Sequence, residues 1–375
     1  MNVLVYALPN TNGGGYSVIL NLYEDIKAHN YPDIHWYFIT GTDGFENTEH
    51  ITVFNESWAL KTYAHRYYFN TVKVKEFVKK YDIAAVISLN MGVGHIKTPS
   101  IISLHNVLPL YKCDSSVFDT RIEMIKQRII NHLIIKSLKR AEYIIIPSKW
   151  IKRELISKFK IQENKIYISQ ITVPEVSSLL KTNQEETSAE QNKKTDLQFS
   201  KEKTVEFIYP SSGFPYKNHR VIIEAAKKLQ QEGIENYYIR LTGNVGEGKT
   251  ITELKKEIQK NNLPIEFSGM YSKEQLANAY AGGVLLFPSR IETDGFPILE
   301  SMACGGYIIA ADLEYAREAL SDYDSYDLFN PQSAEELESL MKKAIEGNNP
   351  QRHHRYNFES VRPRTEIIVP LLQKL

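Results

Sequence analysis

The feature that most limits what this chain can become is an alternation that occurs twice. Short runs rich in β-branched and aromatic residues trade places with longer runs of helical period. "NVLVYA" reads as a strand, and residues 15–29 then place Ile19, Leu22, Tyr23 and Ile26 on one apolar helical face. "IHWYFIT", "IAAVISL", "SIISLH" and "YIIIP" read as further strands, with helices over about 66–80, 121–140 and 148–159. A second series runs "TVEFIYP", "YYIRLTG", "IEFSG", "VLLFP", "YIIAA" and "YDLFN", separated by helical stretches near 219–231, 250–260, 272–281, 297–304 and Glu314–Leu320. A last long helix opens on Ser333 and Glu336, a capping-box pair. Strands alternating with helices of this length specify parallel sheets covered on both faces.

A chain of 375 residues exceeds what one core usually holds. Residues 176–203 contain only six apolar residues in 28 and read as a polar linker or insertion. The expected domains are therefore 1–175, the linker 176–203, 204–355, and a C-terminal helix over 356–375 that can return to the N-terminal domain. The expected fold class is α/β, two Rossmann-like domains with parallel sheets facing an interdomain cleft. Ligands of open α/β sheets sit beyond the carboxyl ends of the strands, so the loops leaving the strands carry the functional argument.

Charge narrows the partners. The chain is neutral overall, but residues 1–175 hold 21 Lys and Arg against 16 Asp and Glu, and the remainder 24 against 29. That asymmetry suits an anionic substrate or membrane surface and is too weak to imply nucleic acid. Two cysteines, Cys113 and Cys304, give no disulfide framework and no cysteine-based zinc site. "MNVLVYALPN" lacks the basic start and apolar length of a signal peptide, and no run approaches a bilayer span, so a cytoplasmic location is expected. Residues 121–140 carry six Lys or Arg and one acid among isoleucines and leucines. Such a helix either lies peripherally on the anionic inner face of a membrane or packs on the domain core.

Five loops could carry chemistry. In "LPNTNGGGYS", Gly14 and Gly15 allow close backbone approach to a phosphate or sugar, and the following helix start presents unpaired N–H groups. In "SLHNVLPLY", His105 stands at a strand end. In "YPSSGFPYKNH", Ser212, Lys217 and Asn218 form a polar loop suited to a pyrophosphate, while His219 can simply open the next helix. "GNVGEGKT", Gly243 to Thr250, satisfies the phosphate-loop pattern of nucleotide triphosphatases, with Asp312 as a conceivable Mg²⁺ partner, so an ATPase or kinase stays open as a rival. Finally "SRIETDGFPILESMACGG" places Glu292 in a strand-exit loop and Glu300 in the first turn of a short helix begun by Pro297. A carboxylate in a first turn is favourable by about 0.3–1 kcal/mol whatever its function. Together the two glutamates could grip a hydroxyl-rich ligand, with N–H groups near Gly295 and Phe296 between them.

The stretch "SRIETDGFPILESMACGGYIIAADLEYAREAL" resembles the E-x7-E region of the retaining GT-B glycosyltransferases of glycosyltransferase family 4, over about Phe287 to Phe329. "YPSSGFPYKNH" is similar to that family's phosphate loop and "AEYIIIPSKWIKREL" to its last N-domain strand–helix unit. The resemblance implies a GT-B fold and transfer of a sugar, with retention, from a nucleotide-sugar, UDP-sugar being favoured. The acceptor implied is a saccharide or lipid-linked saccharide in surface polysaccharide or glycolipid synthesis. Glu292 would then contact the transferred sugar, as would backbone amides near Asp294, Gly295 and Phe296, and Glu300 the ribose. Lys217 would neutralise the pyrophosphate, Gly14 and Gly15 would approach it, Gly243 would lie near the nucleotide, and His105 would line the acceptor side. No metal is required by this chemistry, because Lys217 and helix N-termini can stabilise the leaving phosphate. The chain departs from the family at Ser212, where arginine is common, and at Asp294 and Phe296, where phenylalanine and leucine are usual. An epimerase of the same fold and a non-catalytic partner subunit are further rivals.

Overall fold

Both alternating series become fully parallel sheets in a computed structural model that describes residues 1–11, 13–29, 31–89, 96–114, 117–170, 204–242, 248–348, 356 and 361–375. The first contains β1 (Asn2–Tyr6), α1 (Gly13–His29), β2 (His35–Thr40), β3 (Ile51–Asn55), α2 (Tyr63–Tyr68), α3 (Val74–Lys80), β4 (Ala85–Leu89), β5 (Ser100–Ser103), α4 (Arg121–Arg140), β6 (Tyr143–Ile146), α5 (Lys149–Phe159) and β7 (Ile166–Ile168). Its strand order is β3-β2-β1-β4-β5-β6-β7. Val3, Leu4 and Val5 are wholly buried and Val3 pairs with both Trp36 and Ala85, the signature of a strand covered on two faces.

The second sheet contains β8 (Val205–Pro210), α6 (His219–Gln231), β9 (Tyr237–Thr242), α7 (Lys249–Lys260), β10 (Ile265–Gly269), α8 (Lys273–Gly282), β11 (Val284–Phe287), α9 (Phe296–Ala303), β12 (Tyr307–Ala311), α10 (Glu314–Ala319), β13 (Tyr326–Phe329) and α11 (Ala334–Ile345). The order is β10-β9-β8-β11-β12-β13. In each sheet the chain leaves its first strand in one direction and later crosses to that strand's other side. The reversals fall between β1 and β4 and between β8 and β11. Loops leaving those strands are the natural ligand positions of each sheet.

Two compact units result. One gathers Met1–Lys112, Gln127–Ile171 and Val361–Leu375, the other Cys113–Lys126 and Thr172–Ser360. The last helix, α12 (Thr365–Leu372), packs on α1 and buries Ile368, Leu371 and Leu372. Its N-terminus is capped from α1, where Asp25 Oδ2 accepts from Arg364 N at 2.6 Å and Thr365 N at 3.4 Å. The linker expected at 176–203 lies outside the described residues.

The sequence reading missed β3 and β7, both edge strands. Thr52, Val53 and Phe54 of β3 are only half-buried, so "ITVFN" lacks the continuous apolar run of a central strand. The helix expected over 66–80 starts earlier and is interrupted by one π turn, Phe69–Lys73, between α2 and α3. At α11, Ser333 Oγ accepts from Glu336 N at 3.1 Å, but the Glu336 carboxylate turns to Asn330 N at 2.7 Å, so only half of the capping box forms.

Candidate functional site

The β8 and β11 exit loops are stitched together by their backbones. After β8, Pro215–Lys217 form one 3₁₀ turn, and Asn218 adopts a left-handed conformation (φ 59°) that starts α6. Arg290 N, in the loop after β11, donates to Tyr216 O at 2.8 Å, and Arg290 Nη2 to Pro215 O at 3.2 Å. Asn218 Nδ2 donates to Pro288 O at 3.2 Å and to Pro331 O at 2.8 Å. From beneath, the buried Tyr209 hydroxyl donates to Lys217 O at 2.8 Å. This frame brings Lys217 Nζ against Glu292 Oε1 as a charge-assisted hydrogen bond, with the two side chains only 16% and 14% exposed. Two residues 75 positions apart thus share one spot at the topological switch of the sheet.

Several expected site residues fall here. Ser212 is half-buried between β8 and the 3₁₀ turn. Asn218 was expected to bind donor, yet its amide nitrogen is committed to two main-chain carbonyls, so its observed work is to clamp three strand ends together. Arg290 and Tyr216 were not singled out from sequence. Burial pushes the Arg290 guanidinium below its usual range, partly offset by Asp114. Burial, with Glu292 second, pushes the Tyr216 phenol up. Lys217 Nζ also lies 5.5 Å above the Tyr216 ring, and Phe214 stacks on that ring at 5.4 Å and 10°. The available signal was the spacing of Arg290 two residues before Glu292, which sequence alone gives no reason to weight.

Past Glu292, Asp294 is half-buried and Gly295 turns left-handed (φ 68°) to start α9 with Phe296. A Cβ at Gly295 would lie 2.9 Å from Phe287 Cε1, so the turn needs glycine for both its angle and its space. Because α9 begins at Phe296, Glu300 lies in its second turn and not its first. Helix-dipole stabilisation fades within the first turn, so the structural account expected for Glu300 does not hold. Its carboxylate instead accepts from Tyr280 Oη of α8 at 2.9 Å. Burial pushes Glu300 up to about 7, against the opposing pull of the Tyr280 hydroxyl and Lys273. Glu292 is held by lysine and Glu300 by tyrosine, so the pair occupies distinct environments and makes no contact with each other that binds them.

In the N-terminal unit, Gly14 and Gly15 belong to the first turn of α1 rather than to a loop, because the helix already starts at Gly13. A Cβ at Gly15 would meet Asn10 Nδ2 at 2.7 Å, which leaves that position closely packed against the β1 exit. His105 follows β5, and its Nε2 lies 2.8 Å from Ser103 Oγ and 3.2 Å from Arg364 Nη1. A guanidinium has no lone pair and can only donate, so Nε2 accepts and the neutral ring carries its proton on Nδ1. Burial and then the Arg364 charge hold His105 well below the ordinary histidine range. His219 opens α6, bonds Ser211 Oγ at 2.8 Å, and is pushed down to about 3 by burial and Lys217.

Gly243 lies outside the described residues, whereas Gly248, Lys249 and Thr250 at the end of the phosphate-loop pattern lie within them. Thr250 Oγ1 donates to Asp119 Oδ1, and Thr250 N approaches Asp119 Oδ2 at 3.5 Å, so a carboxylate sits at the α7 N-terminus. Gly248 is as close: a Cβ there would lie 2.6 Å from Asp119 Oδ2. Lys249 is exposed and 4.0 Å from Glu253. Asp312 is engaged by Arg317 at 2.5 and 2.7 Å. An anion already occupies the helix start that a triphosphate would need, which weighs against the ATPase reading.

Residues 190–360 match the family model for glycosyl transferases group 1. The chain carries a glycosyl transferases group 1 domain. The Lys217–Glu292 contact, Glu300 and the whole second sheet lie inside the matched span. Alpha-monoglucosyldiacylglycerol synthase of Streptococcus pneumoniae is 25% identical over 263 residues, covering 67% of this chain and 56% of its own length. O-antigen chain mannosyltransferase RfbU of Salmonella typhimurium is 24% identical over 251 residues, covering 64% and 59%. The matches therefore span little more than half of either relative. Sucrose-phosphate synthase from Thermosynechococcus elongatus superposes with a TM-score of 0.69 at 14% identity, covering 100% of this chain and 99% of its own. HepE from Anabaena in complex with UDP-glucose superposes with 0.66 at 16% identity, covering 100% of both. At these identities the likeness carries the fold: this group 1 domain is the second half of a GT-B architecture of two parallel-sheet units.

Proposed function

We propose that this protein is a retaining glycosyltransferase that moves a sugar from a UDP-sugar to a saccharide or lipid-linked saccharide in surface polysaccharide or glycolipid synthesis. The observation that carries this reading is the Lys217–Glu292 contact at the β8/β11 switch point, inside the group 1 domain. By their names, one of the two relatives makes a glucosylated diacylglycerol and the other is a mannosyltransferase of an O-antigen chain, and HepE is described with UDP-glucose.

On this reading the pair is exchanged when donor binds. Lys217 turns to the pyrophosphate, where its charge stabilises the oxygens that gain negative charge as the sugar departs. Glu292, released from lysine, accepts from hydroxyls of the transferred sugar. Backbone N–H groups at Asp294, Gly295 and Phe296 hold the same sugar, and Glu300 accepts from the ribose. Gly14 and Gly15 approach the donor phosphates, and His105 lines the acceptor side. The leaving phosphate takes the proton of the incoming hydroxyl on the same face, which gives retention. The cationic work is assigned to Lys217, with Arg290 behind it, where the family pattern would place arginine at Ser212. No bound metal is invoked.

The test is a thermal-shift panel of UDP, GDP, their sugars and Mg-ATP, followed by transfer assays. Ligands that bind the native state raise its stability, so UDP and a UDP-sugar should raise the melting temperature. Stabilisation by Mg-ATP alone would overturn the assignment. Lys217→Ala and Glu292→Ala should each slow transfer at least tenfold, about 1.4 kcal/mol in barrier. Near-normal transfer in both would remove the site assignment, and isomerised donor without transfer would identify an epimerase.

A further inference from the structure

One π turn, Phe69–Lys73, interrupts the helix that packs over the end of β1. Phe69 and Val74 are both buried there, in a core with Leu4, Tyr6 and Leu8. Five positions apart, they would stand about 140° apart around an α-helix. The bond from Val74 N to Phe69 O spans five residues and turns both side chains toward the sheet. Such turns are rare and recur at functional sites.

The inserted residue brings a polar group to the strand end. Tyr6 closes β1 and is 3% exposed, and its hydroxyl donates to Asn70 Oδ1. That bond orients the amide, and Nδ2 keeps two N–H donors with no partner among the described residues. Arg66, four positions earlier and half-buried, shares that side of the helix. Its charge reaches Tyr6: burial pushes the phenol up to about 12, while Arg66 and the Asn70 bond pull against it. Among the described residues no acid answers the guanidinium. Glu76, the only acid between 61 and 80, pairs with Lys73 at 2.7 Å, and Glu56 accepts from Trp58 Nε1 at 2.5 Å. A cation half withdrawn from water without a counter-ion burdens the fold unless a ligand supplies the opposite charge.

We propose that Arg66 and Asn70 form a subsite for a phosphoryl group carried by the acceptor saccharide, with Tyr6 positioning the Asn70 amide. Arg66 presents paired N–H donors to two phosphate oxygens, and the Asn70 amine donates to the third. Both unpaired groups donate and neither accepts, so an oxyanion satisfies them. A neutral hydroxyl would bring a proton that nothing receives. A phosphoryl group has one oxygen for each of the three donors, where a carboxylate has only two. The position agrees, because Tyr6 lies at a strand exit beside the reversal between β1 and β4. The subsite rests on the sugar-transfer reading for its role. It narrows the acceptor to a phosphorylated saccharide, either soluble or joined to a lipid through a diphosphate.

The experiment is isothermal titration of the full chain with glucose 1-phosphate, glucose 6-phosphate, glucose, glucuronate and UDP. The sugar phosphates should bind about tenfold or more tightly than glucose or glucuronate. Arg66→Gln should weaken them about tenfold or more, the worth of one hydrogen bond to a charged group, and Arg66→Lys less. Asn70→Ala should weaken them about threefold or more. Tyr6→Phe should weaken them too but add nothing in the Asn70→Ala background, a coupling that a merely structural role would not give. UDP affinity should stay within about twofold of wild type in all of these variants. Failure of UDP to bind the wild type would refute the donor reading alone, and unaltered sugar-phosphate binding in Arg66→Gln the subsite alone. Competition with a polyprenyl-diphosphate-linked glucose in detergent identifies the source, the tighter ligand being the form accepted. Equal binding of glucose or glucuronate, or no binding of any phosphorylated form, would overturn the subsite. So would loss of sugar-phosphate binding in Lys217→Ala, which would place the phosphate at the donor loop.

Discussion

Replacing Glu300 by glutamine should make the protein more stable at alkaline pH and leave it nearly unchanged at acidic pH. Burial raises this carboxyl from 4.5 to about 7 in the folded protein. Between those values the folded state holds a proton that the unfolded chain has released. Stability from this group is therefore fully present below about 4.5 and is lost as pH rises through about 7. At 1.36 kcal/mol per unit of pH the full effect is about 3 kcal/mol, and partial exposure of the carboxylate trims it to about 1–3 kcal/mol. Glutamine keeps the shape and can still accept from Tyr280 Oη, but never bears the charge. Thermal unfolding of both proteins from pH 4 to 8.5 should show curves that coincide at the acid end. They should separate by about 2–12 °C at the alkaline end, using about 2–4 °C per kcal/mol for a unit of this size. A pH-independent offset, or a variant that loses ground as pH rises, would refute the assignment of a buried, reluctantly ionised Glu300.

Two further outcomes follow from the same structure. Arg364→Met should free His105 Nε2, so that in ¹⁵N spectra of histidine-labelled protein the ring, Nδ1-protonated in the wild type, populates the Nε2–H form and titrates closer to the ordinary range. Arg364→Lys should restore a donor and much of the wild-type spectrum, which a purely structural loss would not. Asp119→Ala removes the cap on α7 and should cost about 0.5–2 kcal/mol by chemical denaturation, while Lys249→Ala should leave both stability and sugar transfer close to wild type. A disabling Lys249→Ala would revive the phosphate-loop reading.

The candidate site was legible wherever its logic is local. Glu292 and Lys217 announce themselves because each follows a strand whose apolar run is unmistakable, and strand exits are where open sheets bind. Glu300 was legible as a residue but not in its environment. Helix α9 starts at Phe296, one residue ahead of Pro297, and the partner hydroxyl comes from Tyr280, twenty residues upstream on another helix. Asn218 shows the opposite failure: a polar residue in a polar loop resembles a ligand group, yet its amide closes gaps between strand ends 70 and 113 residues away.

Local periodicity thus determined two parallel α/β sheets, their central strands and the loops that matter, because apolar repeats of two and 3.6 residues are properties of neighbouring positions. Only the edge strands of the first sheet, β3 and β7, escaped it, since these half-exposed strands lose that contrast. Tertiary structure alone decided which long-range partners each polar side chain has. It set Lys217 against Glu292, Arg364 against His105, and Asp119 at the start of α7, and it left Ile122, Ile125 and Ile129 of α4 facing water. Those outcomes depend on strand order and crossover hand, which bring together residues that no spacing in the sequence relates.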